Sequence, residues 1–227
     1  MRDLEEVEEF KTRVASKHIS DERKHFLVGA FEGCVPMEFW KIKKSSVKQN
    51  VDVFKNVILK YCENLNKAHR RGFGLCLVGD NGVGKTYFIS YVLTQAIKKR
   101  KTVYYTTMLQ LEHDIKRGFD DKGATKYLDL LLTSDWLAID ELGKEQRVKG
   151  RKQTATFIDS QFERILKKRF DDSMPVLLGS NLDYKDLSKT YGSSVVSVLK
   201  GKYLVAELVG EDYREVLATQ TRKEMGF

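Results

Sequence analysis

The sequence predicts an α/β fold, a parallel sheet covered by helices on both faces, with a short helical N-terminal extension. Three observations carry that expectation. From Phe73 onward, short apolar runs of strand length alternate with longer segments of helical spacing. A glycine-rich segment, residues 79–86 (GDNGVGKT), falls between a predicted strand and a predicted helix, where ligands of parallel sheets collect. The 227 residues are 41% hydrophobic with 16 Gly and only 2 Pro, enough apolar material for one continuous core and too little for two full-sized domains.

Residues 1–17 read as an amphipathic helix, because Leu4, Val7, Phe10 and Val14 fall close to one face. That stripe needs a cover, either the protein's own body or a partner. The chain turns near Pro36, and Phe39 and Trp40 open a linker expected to pack on the core domain. A second helix begins at Asn50, turns Phe54, Val57, Ile58, Tyr61 and Leu65 inward, and stops near Arg70, Arg71 and Gly72. Strands are then expected at 73–78, 103–106, 136–139, 175–179 and 203–209. The intervening helices run from the glycine-rich segment to about Lys99, and over 109–119, 125–132, 156–170, 184–190 and 195–199. The expected division is a helical extension and linker over 1–48 and a core over 49–227.

Composition narrows the function. A net charge of +8 suits a polyanionic partner, which makes nucleic acid the first class to consider. Cys34, Cys62 and Cys76 are far apart and the chain has only four histidines, so neither a zinc site nor a disulfide framework is expected. The N-terminal MRDLEEVEEF is charged where a signal peptide needs an apolar core, and no stretch approaches 18 apolar residues. A cytoplasmic location without a membrane partner is therefore expected.

The segment Gly79, Asp80, Asn81, Gly82, Val83, Gly84, Lys85, Thr86 has the spacing of a phosphate-binding loop. Its glycines let backbone N–H groups turn toward phosphates at a helix N-terminus. Lys85 would reach the β- and γ-phosphates of ATP, and the Thr86 hydroxyl would ligate Mg²⁺. A site that hydrolyses also needs one carboxylate near the metal and another to act on water. Residues 136–141 (WLAIDE) supply both: Asp140, at the end of a buried strand, would hold Mg²⁺ through water, and Glu141 would polarise the attacking water. At the next strand tip, Asn181 could contact that water or the γ-phosphate, or the segment could simply be a cap with Asn181 or Asp183 opening the next helix. In the segment 144–152, Lys144, Arg147, Lys149, Arg151 and Lys152 form a basic loop that could track a DNA backbone, or be a solvated surface loop.

Taken with their order, the phrases GDNGVGKT, TTMLQLEHDIKRGF, LAIDELGKE, LLGSNLD and GEDYR resemble the DnaC/DnaI-type helicase loaders and the related IstB-type transposition helpers, a lidless group of AAA+ ATPases. The resemblance implies a P-loop AAA+ core with the lid absent or reduced, and too few residues follow position 210 for a full helical lid. It implies ATP and Mg²⁺ as cofactors, a hexameric replicative DNA helicase and single-stranded DNA as partners, possible self-assembly, and an N-terminal region that grips the helicase. An IstB-like helper on duplex DNA, and an adaptor locked by nucleotide without turnover, are the alternatives. One departure stands out. Where such loaders carry an arginine that reaches a neighbour's ATP site, this chain has Ser197, Val198 and Leu199. Lys200, Lys202, Arg164 and Arg214 are the basic residues available to replace it.

Overall fold

Gly74–Val78 (β1) is buried along its whole length. Its alternate residues serve two cores: Leu75 and Leu77 enter one cluster, Cys76 and Val78 the other. It is therefore an interior strand, and the sheet is built outward from it. The computed structural model describes residues 2–117, 123–143 and 152–225. Within them, Val103–Thr107 (β2), Trp136–Leu142 (β3), Val176–Ser180 (β4) and Tyr203–Glu207 (β5) join β1 in one five-stranded sheet of order β2-β3-β4-β1-β5. Every pairing is parallel, as the strand–helix alternation requires.

The helices occupy the two faces. Leu4–Ala15 (α1) and Asp21–Glu32 (α2) lead into a linker. Beyond it runs a helical stretch made of Val51–Val53 (α3), a π-wound segment Phe54–Leu59, Lys60–Glu63 (α4) and Leu65–Arg70 (α5). Lys85–Lys98 (α6) joins β1 to β2, Met108–Arg117 (α7) and Gly123–Thr133 (α8) join β2 to β3, and Lys152–Asp171 (α9) joins β3 to β4. Tyr184–Lys202 (α10) leads to β5, and Tyr213–Glu224 (α11) comes after it. Phe54, Ile58, Ile89 and Leu93 cover one face of the sheet, while Leu111, Ile158, Phe162 and Tyr191 cover the other. Among the described residues, no helix is long and apolar enough to cross a membrane.

Several elements differ from the expectation. α2 has no counterpart in it, because Phe26, Ala30 and Phe31 are buried on more than one side of the helix, against α6 and α1, which erases a one-faced pattern. The stripe on α1 is covered mainly by the protein itself: Phe10 stacks on Phe31 at 4.0 Å with Trp40 edge-on at 6.1 Å, and Val14 is buried. Leu4 alone of the four stays largely exposed. The two short helices expected over 184–199 are both present: α10 is two helical segments separated at Gly192, whose φ of 87° is non-helical. Strand β3 runs three residues past Ile139, and β5 stops at Glu207 with Leu204 and Val205 partly exposed on the sheet edge.

Arg169 on α9 is fully buried, and its guanidinium donates to the carbonyls of Leu131, Ser134 and Pro175 at 2.8–3.0 Å. It ties the end of α8 to the starts of β3 and β4. Arg169→Leu leaves these carbonyls without their donor in the interior. A loss of about 3 kcal/mol is expected, read as a lower urea midpoint at unchanged slope.

Candidate functional site

The turn after β1 reverses the chain through Gly79, Gly82 and Gly84, all at positive φ. At Gly79 a side chain would meet the Leu208 carbonyl 2.2 Å from its Cβ, and at Gly82 it would overlap Asp212. Lys85 is buried, and its ammonium donates to the carbonyls of Gly79 and Asp80 at 2.7 and 2.6 Å, so the lysine braces the loop it belongs to. The Val83 side chain sits in the core, which leaves only its backbone for a ligand. Two outside segments hold the loop. Gln49 and Asn50 donate side-chain N–H groups to the carbonyls of Gly82 and Val83, each at 3.0 Å, and Tyr213 N–H donates to Gly82 O at 3.2 Å. Asn50 Oδ1 in turn accepts from Val209 N–H at 3.2 Å, linking the two segments.

Asp140 and Glu141 are aimed by a bulge. Between Ile139, opposite Leu178, and Leu142, opposite Ser180, β3 advances three residues while β4 advances two. Glu141 absorbs the difference at φ 61°, a left-handed conformation costing about 1 kcal/mol for a residue with a side chain. Strain of this kind collects at working sites. The Asp140 carboxylate is buried and held on both oxygens: Oδ1 accepts from Glu141 N–H at 2.8 Å, and Oδ2 from the Thr86 hydroxyl at 2.6 Å and the Tyr105 hydroxyl at 3.1 Å. Gly179 on β4 makes this possible, since a Cβ there would lie 1.9 Å from Asp140 Oδ1.

These groups meet at one cavity of about 220 Å³. Lys85, Thr86, Asp140, Glu141 and Asn181 line it together, with Asn81, Gly82, Val83 and Gly84 from the loop. The linker forms another wall through Phe39, Val47 and Gln49, and Tyr213 and Arg214 reach it from the start of α11. The oxygen donors fit a magnesium ion: a hydroxyl and a carboxylate, both hard, lie within hydrogen-bond distance of each other beside a buried lysine.

Sequence reasoning therefore placed Lys85, Thr86, Asp140, Glu141 and Asn181 at what proves to be one cavity. It passed over Tyr105, Gly179, Gln49 and Asn50, which belong to no motif. Of the basic loop, Lys144, Arg147, Lys149 and Arg151 lie outside the described residues, and Lys152 is the first residue of α9. Val198 is buried, so the position where the arginine is absent is not a surface site here. Among the named substitutes, Lys202 is engaged, its ammonium donating to Phe170 O and Ser173 Oγ, whereas Arg214 borders the cavity.

A parallel sheet of this order, with a glycine-rich phosphate loop after the interior strand β1 and an acidic pair at the tip of β3, defines a P-loop protein of the AAA+ class. Residues 57–203 match the family model described as "IstB-like ATP binding protein". The chain belongs to that family of ATP-binding proteins, and its DnaC/DnaI-type likeness is borne out by the relatives. It is 23% identical to the replicative helicase loader DnaI of Bacillus subtilis (strain 168) over 117 residues, 52% of this chain and 36% of that protein. It is 33% identical over 73 residues to an insertion sequence IS21-like putative ATP-binding protein of Bacteroides fragilis (strain YCH46), 32% of this chain and 37% of that protein. The chain thus spans little more than a third of these relatives' lengths. The crystal structure of the DnaC helicase loader superposes with a TM-score of 0.64 at 20% identity, covering 77% of this chain and 100% of that one.

Proposed function

We propose that this protein binds ATP with Mg²⁺, hydrolyses it, and uses the cycle to deliver or remodel a hexameric replicative helicase on single-stranded DNA. The observation that carries the ATPase reading is the convergence of Lys85, Thr86, Asp140 and Glu141 on one cavity at the ends of β1 and β3. Likeness to DnaI and DnaC supports the helicase step.

The loop N–H groups and Lys85 bind the phosphates, aided by the N-terminal field of α6. The Thr86 hydroxyl would ligate Mg²⁺ and Asp140 would hold it through water; when bound, the ion would offset negative charge on the nucleotide phosphates. Glu141, turned by the bulge near the end of β3, takes a proton from the attacking water. Asn181 orients that water, and Arg214, which borders the same cavity, offsets negative charge. Residues 1–48 act as the helicase-facing extension, with Phe39 and Val47 of its linker also walling the cavity, and 49–227 carry the phosphate-binding and catalytic groups. The stretch similar to the IS21-type protein favours one second reading, a transposition helper on duplex DNA.

Capture from host extract with ATP and Mg²⁺ separates the two. A replicative helicase supports the first reading and a transposase the second. For DNA, Ala replacement of Arg147, Lys149, Arg151 and Lys152 is expected to weaken single-strand binding and to reduce the salt slope by up to about 3, the value for four lost phosphate contacts. Filter binding from low to high salt measures it; an unchanged slope assigns the loop to solvent.

A further inference from the structure

The Asp140 carboxylate has one partner that no motif supplies. Oδ2 accepts from Thr86, as a phosphate-loop site requires, and also from the hydroxyl of Tyr105, at 3.1 Å. Tyr105 lies on β2 opposite Ala138, two residues before Thr107, which pairs with Asp140. In a parallel ladder, side chains two residues apart share a face. The tyrosine ring therefore runs along the sheet on the α6 side, among the residues packed with Ala138 and Ile89, and delivers its hydroxyl to the strand tip. A phenylalanine would fill the same space. The oxygen adds one thing, a hydrogen bond to a buried anion.

The other restraints on Asp140 make that bond consequential. Glu141 N–H holds Oδ1, and Gly179 packs so closely on Oδ1 that the carboxylate has no room to move toward β4. Oδ2 is the end that faces Thr86, and turning the planar carboxylate about its Cβ–Cγ bond would carry both oxygens away from their partners. With both of its lone-pair directions engaged, Oδ2 stays in place.

We propose that Tyr105 is a positioning residue for the magnesium site, its hydroxyl holding Asp140 Oδ2 against the Thr86 hydroxyl so that both oxygens are set before nucleotide and metal arrive. The inference rests on the reading of this cavity as an ATP·Mg²⁺ site. Partners of this kind around metal ligands typically contribute ten- to a hundredfold in metal affinity. Here the restraint is one of three on the carboxylate, and the effect falls at the lower end.

Tyr105→Phe removes the oxygen and keeps the ring, so the packing around Ala138 and Ile89 is preserved. A fluorescent ATP analogue, titrated with Mg²⁺ at fixed nucleotide, reads the metal site without requiring turnover. The expected result is a Mg²⁺ midpoint about tenfold higher in the variant, with metal-free analogue binding within about twofold of native. Circular dichroism should show both proteins folded at the assay temperature, with at most a modestly lower thermal midpoint for the variant. An unchanged or lower Mg²⁺ midpoint, with the analogue still bound, overturns the role of Tyr105 and leaves the ATP site standing. Failure of the native protein to bind the analogue removes both.

Discussion

Glu141→Gln is expected to bind ATP as tightly as the native protein and to hydrolyse it at least about a hundredfold more slowly. The amide is nearly isosteric with the carboxylate and can occupy the same left-handed backbone position, so the bulge survives. Its N–H still donates to Asp140 Oδ1, so the neighbouring carboxylate keeps its place. The variant loses the capacity to take a proton from water in the cavity. Lys85→Ala is the complementary case: it removes the buried ammonium that braces Gly79 and Asp80, and binding itself should fail. Single-turnover phosphate release and equilibrium nucleotide binding, measured on both variants, separate the two roles. Equal turnover by Glu141→Gln and native protein would take Glu141 out of the mechanism.

Gly179→Ala should be nearly as damaging, although it adds one methyl group and touches no substrate. That methyl carbon would stand 1.9 Å from Asp140 Oδ1 and 3.0 Å from Ile89 Cδ1. Either β4 shifts, breaking register with Leu77 on β1, or the carboxylate leaves its three donors. Overpacking of this type costs about 1–3 kcal/mol of stability. The functional loss should be larger, because the displaced group is the one that positions Thr86: Mg²⁺-dependent turnover is expected to fall by about a hundredfold or more. Steady-state hydrolysis across a Mg²⁺ series, with a urea melt to measure the stability change, tests this. Native turnover in the alanine variant would show that Asp140 has another workable position.

The chemistry was legible in the sequence wherever it is local. GDNGVGKT and WLAIDE each place a functional side chain next to the strand end that presents it, so order along the chain reproduces order in the site. The contacts that refine the site are not local. Tyr105 meets Asp140 across a strand pair, Gly179 meets it across another, and Asn50 reaches Val83 from the linker. None has a spacing that a periodic pattern could reveal. The bulge at Glu141 was equally invisible, since one extra residue in a strand leaves no compositional trace and shows only when the partner strand is in place. Helix α2 escaped for the opposite reason: buried against two neighbours, it has no polar face on which a 3.6-residue rhythm could be read.

The interior position of β1, between β4 and β5, also governs when the molecule can be made. Its two neighbours are the fourth and fifth strands, so Leu75 pairs with Leu177 and with Leu204, about a hundred or more residues further on, separations that slow folding. During synthesis, the chain up to β3 can pair β2 with β3 but leaves the phosphate loop hanging from a strand with both edges bare. Leu75 and Leu77 then have no sheet to lie in, and such half-made intermediates aggregate. A nascent chain halted before residue 176 should accordingly be a chaperone client with no affinity for nucleotide, whereas release after residue 214 lets β1 close between its neighbours and the site, with Tyr213 and Arg214, appear in the same event.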